Sequence, residues 1–280
     1  VNEFLVSPEW LRARLPEPQL RIVDGSWYLP GQGRNAQAEF VAGHIPGAVF
    51  FDIDSVADRS TDLPHMLPDE TAFAEAAGAL GLSERDTIVV YDGVGLFSAP
   101  RVWWTLRTFG AHDVRVLDGG LPAWKRAGYE MESGAAKPQP TIFRSRRRRD
   151  AVADLSSVRQ ALKSPGTVVD ARAASRFRGE APEPRPGLPS GHMPGARNLP
   201  FDRLIDTNGR LVAPERIRAA FQEAGVDLTS PVVTTCGSGV TAATLLFALA
   251  TLGKTDVSLY DGSWAEWASR SDAEIATGNA

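Results

Sequence analysis

Short runs of β-branched and other apolar residues recur along this 280-residue chain, separated by stretches of helical periodicity. Ile22-Val23-Asp24, residues 87–91 (Thr-Ile-Val-Val-Tyr), Val168-Val169-Asp170 and residues 231–235 (Pro-Val-Val-Thr-Thr) each predict a strand. Residues 71–80 and 214–224 predict helices that close on Gly81 and Gly225. Strands alternating with helices in this way predict an α/β fold, with mostly parallel sheets flanked by helices.

The same pattern is written twice, at a spacing of about 145 residues. Gly43-His44-Ile45-Pro46-Gly47-Ala48 returns as Gly191-His192-Met193-Pro194-Gly195-Ala196, some twenty residues after the strand-ending Asp24 and Asp170. Val116-Leu117-Asp118-Gly119-Gly120 with Trp124 returns as Leu259-Tyr260-Asp261-Gly262-Ser263 with Trp267. Landmarks in the same order mark a duplication, so two tandem domains are expected, over residues 1–140 and 154–280, with a linker over 141–153. Lys137-Pro138-Gln139-Pro140 and the basic run Arg144, Arg146, Arg147, Arg148 and Arg149 suit an exposed linker. A solvated face is the stronger reading of those arginines than a nucleic-acid surface, because the chain is acidic overall. The proline-rich residues 181–186 predict a surface loop.

Composition narrows the class. Hydrophobic residues make up 43% and charged residues 23%, the balance of a globular chain, and seven Trp and twelve Phe suffice for a large core. The net charge of -4 argues against a protein that coats nucleic acid. The longest apolar run, residues 242–252, is about half the length needed to cross a bilayer. Val1-Asn2-Glu3-Phe4 lacks the basic and apolar regions of a secretory signal, and a cytoplasmic location is expected from the single cysteine, which leaves no disulfide to form. One cysteine allows neither an internal disulfide nor a cysteine metal cage. Thiol chemistry, if there is any, runs through Cys236.

The copies are most informative where they differ. Alignment of the strands at 87–91 and 231–235 sets Asp92 opposite Cys236, each at the carboxyl end of its strand, where open α/β sheets place ligands. Cys236 is followed by Gly237-Ser238-Gly239-Val240-Thr241 and then by a helical run. A strand, a short glycine-containing loop and a helix start can turn successive amides inward as an anion cradle, which favours a thiolate or a persulfide anion. A lone cysteine is more often a small buried hydrophobe, but this one stands where binding loops stand. Asp24 and Asp170 are kept beside both an active and an inactive loop, so a turn or cap role is expected for them. The same reasoning covers Asp118 and Asp261.

Taken together, these residues resemble the tandem rhodanese-type sulfurtransferases. The likeness extends through Ser26-Trp27-Tyr28-Leu29-Pro30, Ala99-Pro100-Arg101-Val102-Trp103-Trp104 and Tyr260-Asp261-Gly262-Ser263-Trp264. The cysteine loop is similar to that of the 3-mercaptopyruvate branch. The thiosulfate branch instead carries bulkier residues, typically Arg and Lys, after its cysteine. The resemblance implies Cys236 and Ser238 as catalytic residues. It implies a donor site built from Gly237, Ser238, Gly239, Val240 and Thr241, with Arg176 and Arg185 reading the donor's oxygens. In the implied cycle the Cys236 thiolate takes sulfur from 3-mercaptopyruvate, releases pyruvate, and passes the sulfur to a thiol acceptor. That acceptor would be a small thiol, thioredoxin or a sulfur-acceptor protein, or cyanide in the test tube. No metal or organic cofactor is implied, and no nucleic-acid or membrane partner is expected. The branch also implies a proton relay joining Ser238 to a His and an Asp of the first copy. His44 is the matching histidine, but Asn35 stands where the carboxylate is expected. A loop-holding role, as for His192, is therefore the stronger expectation for His44.

Three other readings share parts of this pattern. Thiosulfate sulfurtransfer would use the same scaffold, but a dianion would be better served by cations inside the loop. A Cys-x5-Arg phosphatase lacks its arginine, since Thr241 and Ala242 stand where the clamp belongs. A non-enzymatic sulfur relay is compatible with the chemistry but is the weaker reading. A monomer with its two halves packed together is expected.

Overall fold

The computed structural model describes residues 3–279; Val1, Asn2 and Ala280, which the two expected domains include, lie outside the described residues. Leu5–Val6 (β1), Leu20–Asp24 (β2), Ala48–Phe50 (β3), Thr87–Tyr91 (β4) and Asp113–Leu117 (β5) form one sheet in the order β1-β5-β4-β2-β3. Val152–Ala153 (β6), Val168–Asp170 (β7), Arg197–Asn198 (β8), Val232–Thr235 (β9) and Val257–Tyr260 (β10) form a second in the order β6-β10-β9-β7-β8. All the pairings are parallel. Each strand of the second order is the strand five places later than its counterpart in the first, so the repeat in sequence is a repeat in topology. The central strands β4 and β9 are buried almost throughout, which is why they read as unbroken apolar runs.

The helices of the first copy are Pro8–Arg14 (α1), Ala36–Ala42 (α2), Glu70–Ala79 (α3), Ala99–Thr108 (α4) and Gly120–Arg126 (α5). Those of the second are Leu155–Ala161 (α6), Ala174–Phe177 (α7), Pro214–Glu223 (α8), Val240–Thr251 (α9) and Ser263–Ala268 (α10). The side chains of Ser7, Asn35, Asp69 and Asp154 each accept an amide proton from the residue three places on and so fix where α1, α2, α3 and α6 begin. Among the described residues, no helix is long and apolar enough to cross a membrane.

One hydrophobic cluster runs through both copies, and each copy has a second of its own on the other side of its sheet. Helices α4 and α9 follow the Asp92 and Cys236 loops and pack on each other, with Trp103 set edge-on to Phe247 at 5.0 Å. Helix α9 is apolar nearly all round because it is covered on all sides. Asp118 and Asp261 do more than the expected turn or cap role. Asp118 Oδ1 accepts from Leu211 N at 3.1 Å, and Asp261 Oδ2 accepts from Leu67 N at 2.7 Å, so each aspartate ties its own copy to the other.

Two features of the chain between the copies differ from a free linker. Arg146 N and Arg148 N donate to the carbonyls of Phe109 and Thr108, and Phe143 is buried, so this strap is laced to the end of α4. Val152–Ala153, inside the segment expected to be linker, pairs with Leu259–Tyr260 as the edge strand of the second sheet. Two residues are too short a run for periodicity to reveal.

Asp24 and Asp170 occupy the same place in the two sheets but differ in charge balance. Asp170 is paired with Arg172 at 2.7 Å. Asp24 has Ser26 at the matching position and accepts its amide at 2.9 Å. Burial without a cationic partner pushes the Asp24 carboxyl up to about 6. The folded protein thus holds this proton more tightly than the unfolded chain, so stability falls as pH rises from about 4 to about 6. Asp24→Asn keeps the acceptor oxygen and removes the charge. Melting curves across this range should show the variant gaining on wild type by about 2–3 kcal/mol, levelling off above about pH 6. A difference that does not change with pH would refute the assignment.

Candidate active site

Strand β9 delivers Cys236 to the carboxyl edge of the second sheet, and α9 begins four residues later. The main-chain carbonyls between them are all turned away from the loop's interior. Those of Cys236 and Gly237 accept from the amides of Trp264 and Ala265, at the start of α10, at 2.9 and 3.0 Å. The Ser238 carbonyl faces His65 Nδ1 at 3.3 Å, and the Gly239 carbonyl accepts from Arg101 Nη1 at 3.3 Å. In a trans peptide the following N–H points opposite to its carbonyl. Outward carbonyls therefore turn the amides of residues 237–240 inward. One of these contacts is explicit, with Gly239 N 3.1 Å from Cys236 Sγ. Gly239 has φ +80°, and a Cβ there would lie 2.5 Å from Arg101 Nη1, so only glycine fits.

The first copy displays the same cradle already filled. Asp92 Oδ1 accepts from the amides of Val94 and Gly95, and Oδ2 from those of Phe97, Ser98 and Ala99, all at 2.7–2.9 Å. A carboxylate sits in this loop where the sulfur sits in the other, and five amides converge on its charge. Tyr28 closes what remains: a Cβ on Gly93 would meet its hydroxyl at 2.3 Å.

In the second copy the equivalent space above the loop holds guanidinium groups. A Cβ on Gly237 would lie 3.1 Å from Arg176 Nη2 and 4.0 Å from Arg185 Nη1. Arg185 is half-buried, and desolvation lowers its pKa against the opposing fields of Cys236 and Asp54. Cys236 is only 2% exposed, as a core cysteine would be, but its neighbours are amides and guanidiniums as well as hydrocarbon. Val240 is buried at the head of α9, and Thr241, partly buried, follows it.

The histidine beside this loop is His65, not His44. His65 Nε2 lies 2.9 Å from Asp54 Oδ1, and Asp54 Oδ2 accepts from Trp27 Nε1 at 3.1 Å. The hydrogen bond from His65 is the main cause holding the Asp54 carboxyl below the usual carboxylate range. The other ring nitrogen of His65 reaches the Ser238 main chain rather than its hydroxyl. His65 has φ +62°, a left-handed conformation for a non-glycine residue, and its carbonyl is held by Arg101 Nη2. His44 instead stacks on Phe40 at 4.0 Å, and its Nδ1 bonds the Phe40 carbonyl at 2.8 Å. His192 repeats that arrangement on Phe177. Asn35, in the place expected for a carboxylate, caps α2. The histidines themselves carried a signal: His44 and His192 are copies of one another, whereas His65 and His112 have no counterpart at the matching position. Applied to histidine, the divergence argument that singled out Cys236 leads away from His44.

Arg172 and Arg178 also receive definite places. Arg172 is fully buried between Asp170 and Glu183, at 2.7 Å from each, and lies over the Trp264 ring. Arg178 pairs with Glu180 at the surface. Neither faces the cradle. Arg101, from the first copy, bridges Gly239, His65 and Asp261, with the Asp261 ion pair at 2.8 Å.

The Rhodanese-like domain family matches residues 7–127 and again 154–270. The chain belongs to this family. Human 3-mercaptopyruvate sulfurtransferase is 46% identical over 96% of this chain and 93% of its own length. An Arabidopsis thaliana protein named thiosulfate/3-mercaptopyruvate sulfurtransferase 1, mitochondrial, is 44% identical over 98% of this chain and 78% of its own. The crystal structure of a 3-mercaptopyruvate sulfotransferase from Escherichia coli superposes with a TM-score of 0.86 at 41% identity, covering 94% of this chain and 99% of that one. As a rhodanese-family protein, this chain has its cysteine loop in the second copy alone.

Proposed function

We propose that this protein is a 3-mercaptopyruvate sulfurtransferase that carries the transferred sulfur on Cys236. The observation that carries the reading is the amide-lined loop, with Gly239 N on Cys236 Sγ, beneath the guanidiniums of Arg176 and Arg185. Both donor names occur among relatives of similar identity, so the loop decides the donor. Gly237 and Ser238 add no charge, and the cations lie above them, where a keto acid's carboxylate and keto oxygen can be read by planar forks. A bulky residue at 237 would have to displace Arg176.

In the proposed cycle Arg176 and Arg185 hold the donor's oxygens and aim its sulfur at Cys236. The thiolate attacks that sulfur, the carbon–sulfur bond breaks, and its electron pair leaves on the enolate of pyruvate. The inward amides stabilise the persulfide anion that remains. A proton must then reach the enolate carbon. His65, oriented by Asp54 and set against the Ser238 main chain, would deliver it. An acceptor thiolate finally takes the outer sulfur and regenerates Cys236. The first copy, within residues 1–140, would thus supply the proton machinery, while the second would supply nucleophile and donor site and would begin at its edge strand, Val152–Ala153. A reducing, cytoplasmic setting suits a cycle that depends on one thiol, and a small thiol, thioredoxin or a sulfur-acceptor protein would serve as acceptor.

Intact mass spectrometry tests the reading directly. Incubation with 3-mercaptopyruvate should add one sulfur atom to the protein, and cyanide should remove it. The value of kcat/KM for 3-mercaptopyruvate should exceed that for thiosulfate; the reverse order would transfer the assignment to the thiosulfate donor.

A further inference from the structure

We propose that Glu183 sets the donor preference of this site by limiting its uncompensated positive charge to one. This rests on the sulfurtransferase reading and adds the residue that decides between a monoanionic and a dianionic donor. Glu183 lies between Pro182 and Pro184 in the irregular loop that also carries Arg185. Its side chain is 2% exposed, an unusual place for a carboxylate unless it is fully paired. Oε1 is 2.7 Å from Arg172 Nη1, and Oε2 binds Arg176 Nη2. Arg172 is held in turn by Asp170 and by the Gly191 carbonyl.

The string Asp170, Arg172, Glu183, Arg176 alternates in sign and sums to zero. Arg185 has no ion pair among the described residues. Its charged neighbours are Cys236, Asp54, Arg176 and Glu183, and Asp54 is itself engaged by His65. With the Cys236 thiolate of the proposed cycle taken up by the loop amides, one surplus cation therefore faces the donor above the sulfur. A keto acid with a single carboxylate is matched by it; thiosulfate brings a second negative charge with no counterpart. Glu183 does this without touching the donor, by drawing on one edge of Arg176 and leaving the remainder of the fork to the substrate. It is a positioning residue as well as a charge setter. Gln at 183 keeps the shape, removes the charge and raises the surplus to two.

The test compares kcat/KM for thiosulfate and for 3-mercaptopyruvate in wild type, Glu183→Gln, Glu183→Asp and Glu180→Gln. In Glu183→Gln the thiosulfate-to-mercaptopyruvate ratio should rise roughly tenfold or more, the size expected when one extra unit charge acts over about 6–10 Å in a partly buried site. Glu183→Asp retains the charge, so it should keep the wild-type ratio while losing rate with both donors. Glu180→Gln removes an equal charge from an exposed pair with Arg178 and should move neither value. If Glu183→Gln lowers both donors in equal proportion, or Glu183→Asp shifts the ratio as far, the carboxylate is only a clamp and the proposal falls. Should Glu183→Gln fail to fold, Glu183→Ala, which removes the same charge, supplies the second test: its ratio must rise as well, and a ratio unchanged or lowered overturns the idea. Failure of wild type to gain sulfur from either donor would strike the parent reading instead.

Discussion

Cys236→Ser should abolish sulfur transfer, lowering kcat by on the order of 10⁴ or more, because the covalent route ends with the nucleophile. The variant should gain no mass on incubation with 3-mercaptopyruvate. Its fold should survive. Ser and Cys are close in size, the site is already polar, and the serine oxygen can accept the Gly239 amide that now bonds sulfur. Thermal stability within about 1 kcal/mol of wild type would separate lost chemistry from lost structure. The chain has one cysteine, so there is no second thiol onto which sulfur could be transferred within the molecule. A persulfide detected on the variant would end the proposal.

His65→Gln should have the next largest effect, a fall in kcat of about 10²–10⁴, typical of losing a positioned proton donor. The change should fall on kcat rather than KM, since the donor's oxygens are assigned to Arg176 and Arg185. Single-turnover measurements should find pyruvate release slowed in proportion. Asp54→Asn should reproduce part of the loss by leaving the ring less firmly oriented. The Asp54 carboxyl is held below its ordinary range, chiefly by the hydrogen bond from His65, so it stays ionised in mild acid. What the ionised carboxylate contributes is lost only as pH falls through that lowered value. His44→Gln, by contrast, removes a contact with the Phe40 carbonyl and should act on stability rather than on turnover. A His65→Gln enzyme with undiminished kcat would break the relay.

How much of the site was legible varies from residue to residue. Cys236 could be read because the duplication provides an internal control: the same loop with Asp92 in its place. The amides that converge on Asp92 explain why the exchange is possible, since a carboxylate and, in the proposed cycle, a thiolate or persulfide each put negative charge at one point. Arg176 and Arg185 came only through family likeness. No local pattern separates Arg176 from Arg172 four residues earlier, although one overhangs the cradle and the other is buried in a structural ion pair. Both pair with Glu183, and the difference is made by Asp170 and the Gly191 carbonyl, which hold Arg172 alone. His65 and its partner Asp54 were missed because the contact of His65 with the cysteine loop crosses between copies, to Ser238 173 residues away.

The sequence by itself determined the doubled parallel α/β architecture, the cysteine loop at a strand end, and which copy carries it. These follow from short-range chemistry: apolar periodicity, glycine conformation, and amides that turn inward at a strand end. Only the tertiary structure decided which histidine meets the loop, which arginines face the sulfur, and how the two copies share a site. Those are packing outcomes, set where α4 meets α9 and where Arg101 and Asp261 join the copies, and contacts between side chains so distant along the chain leave no periodic trace in it.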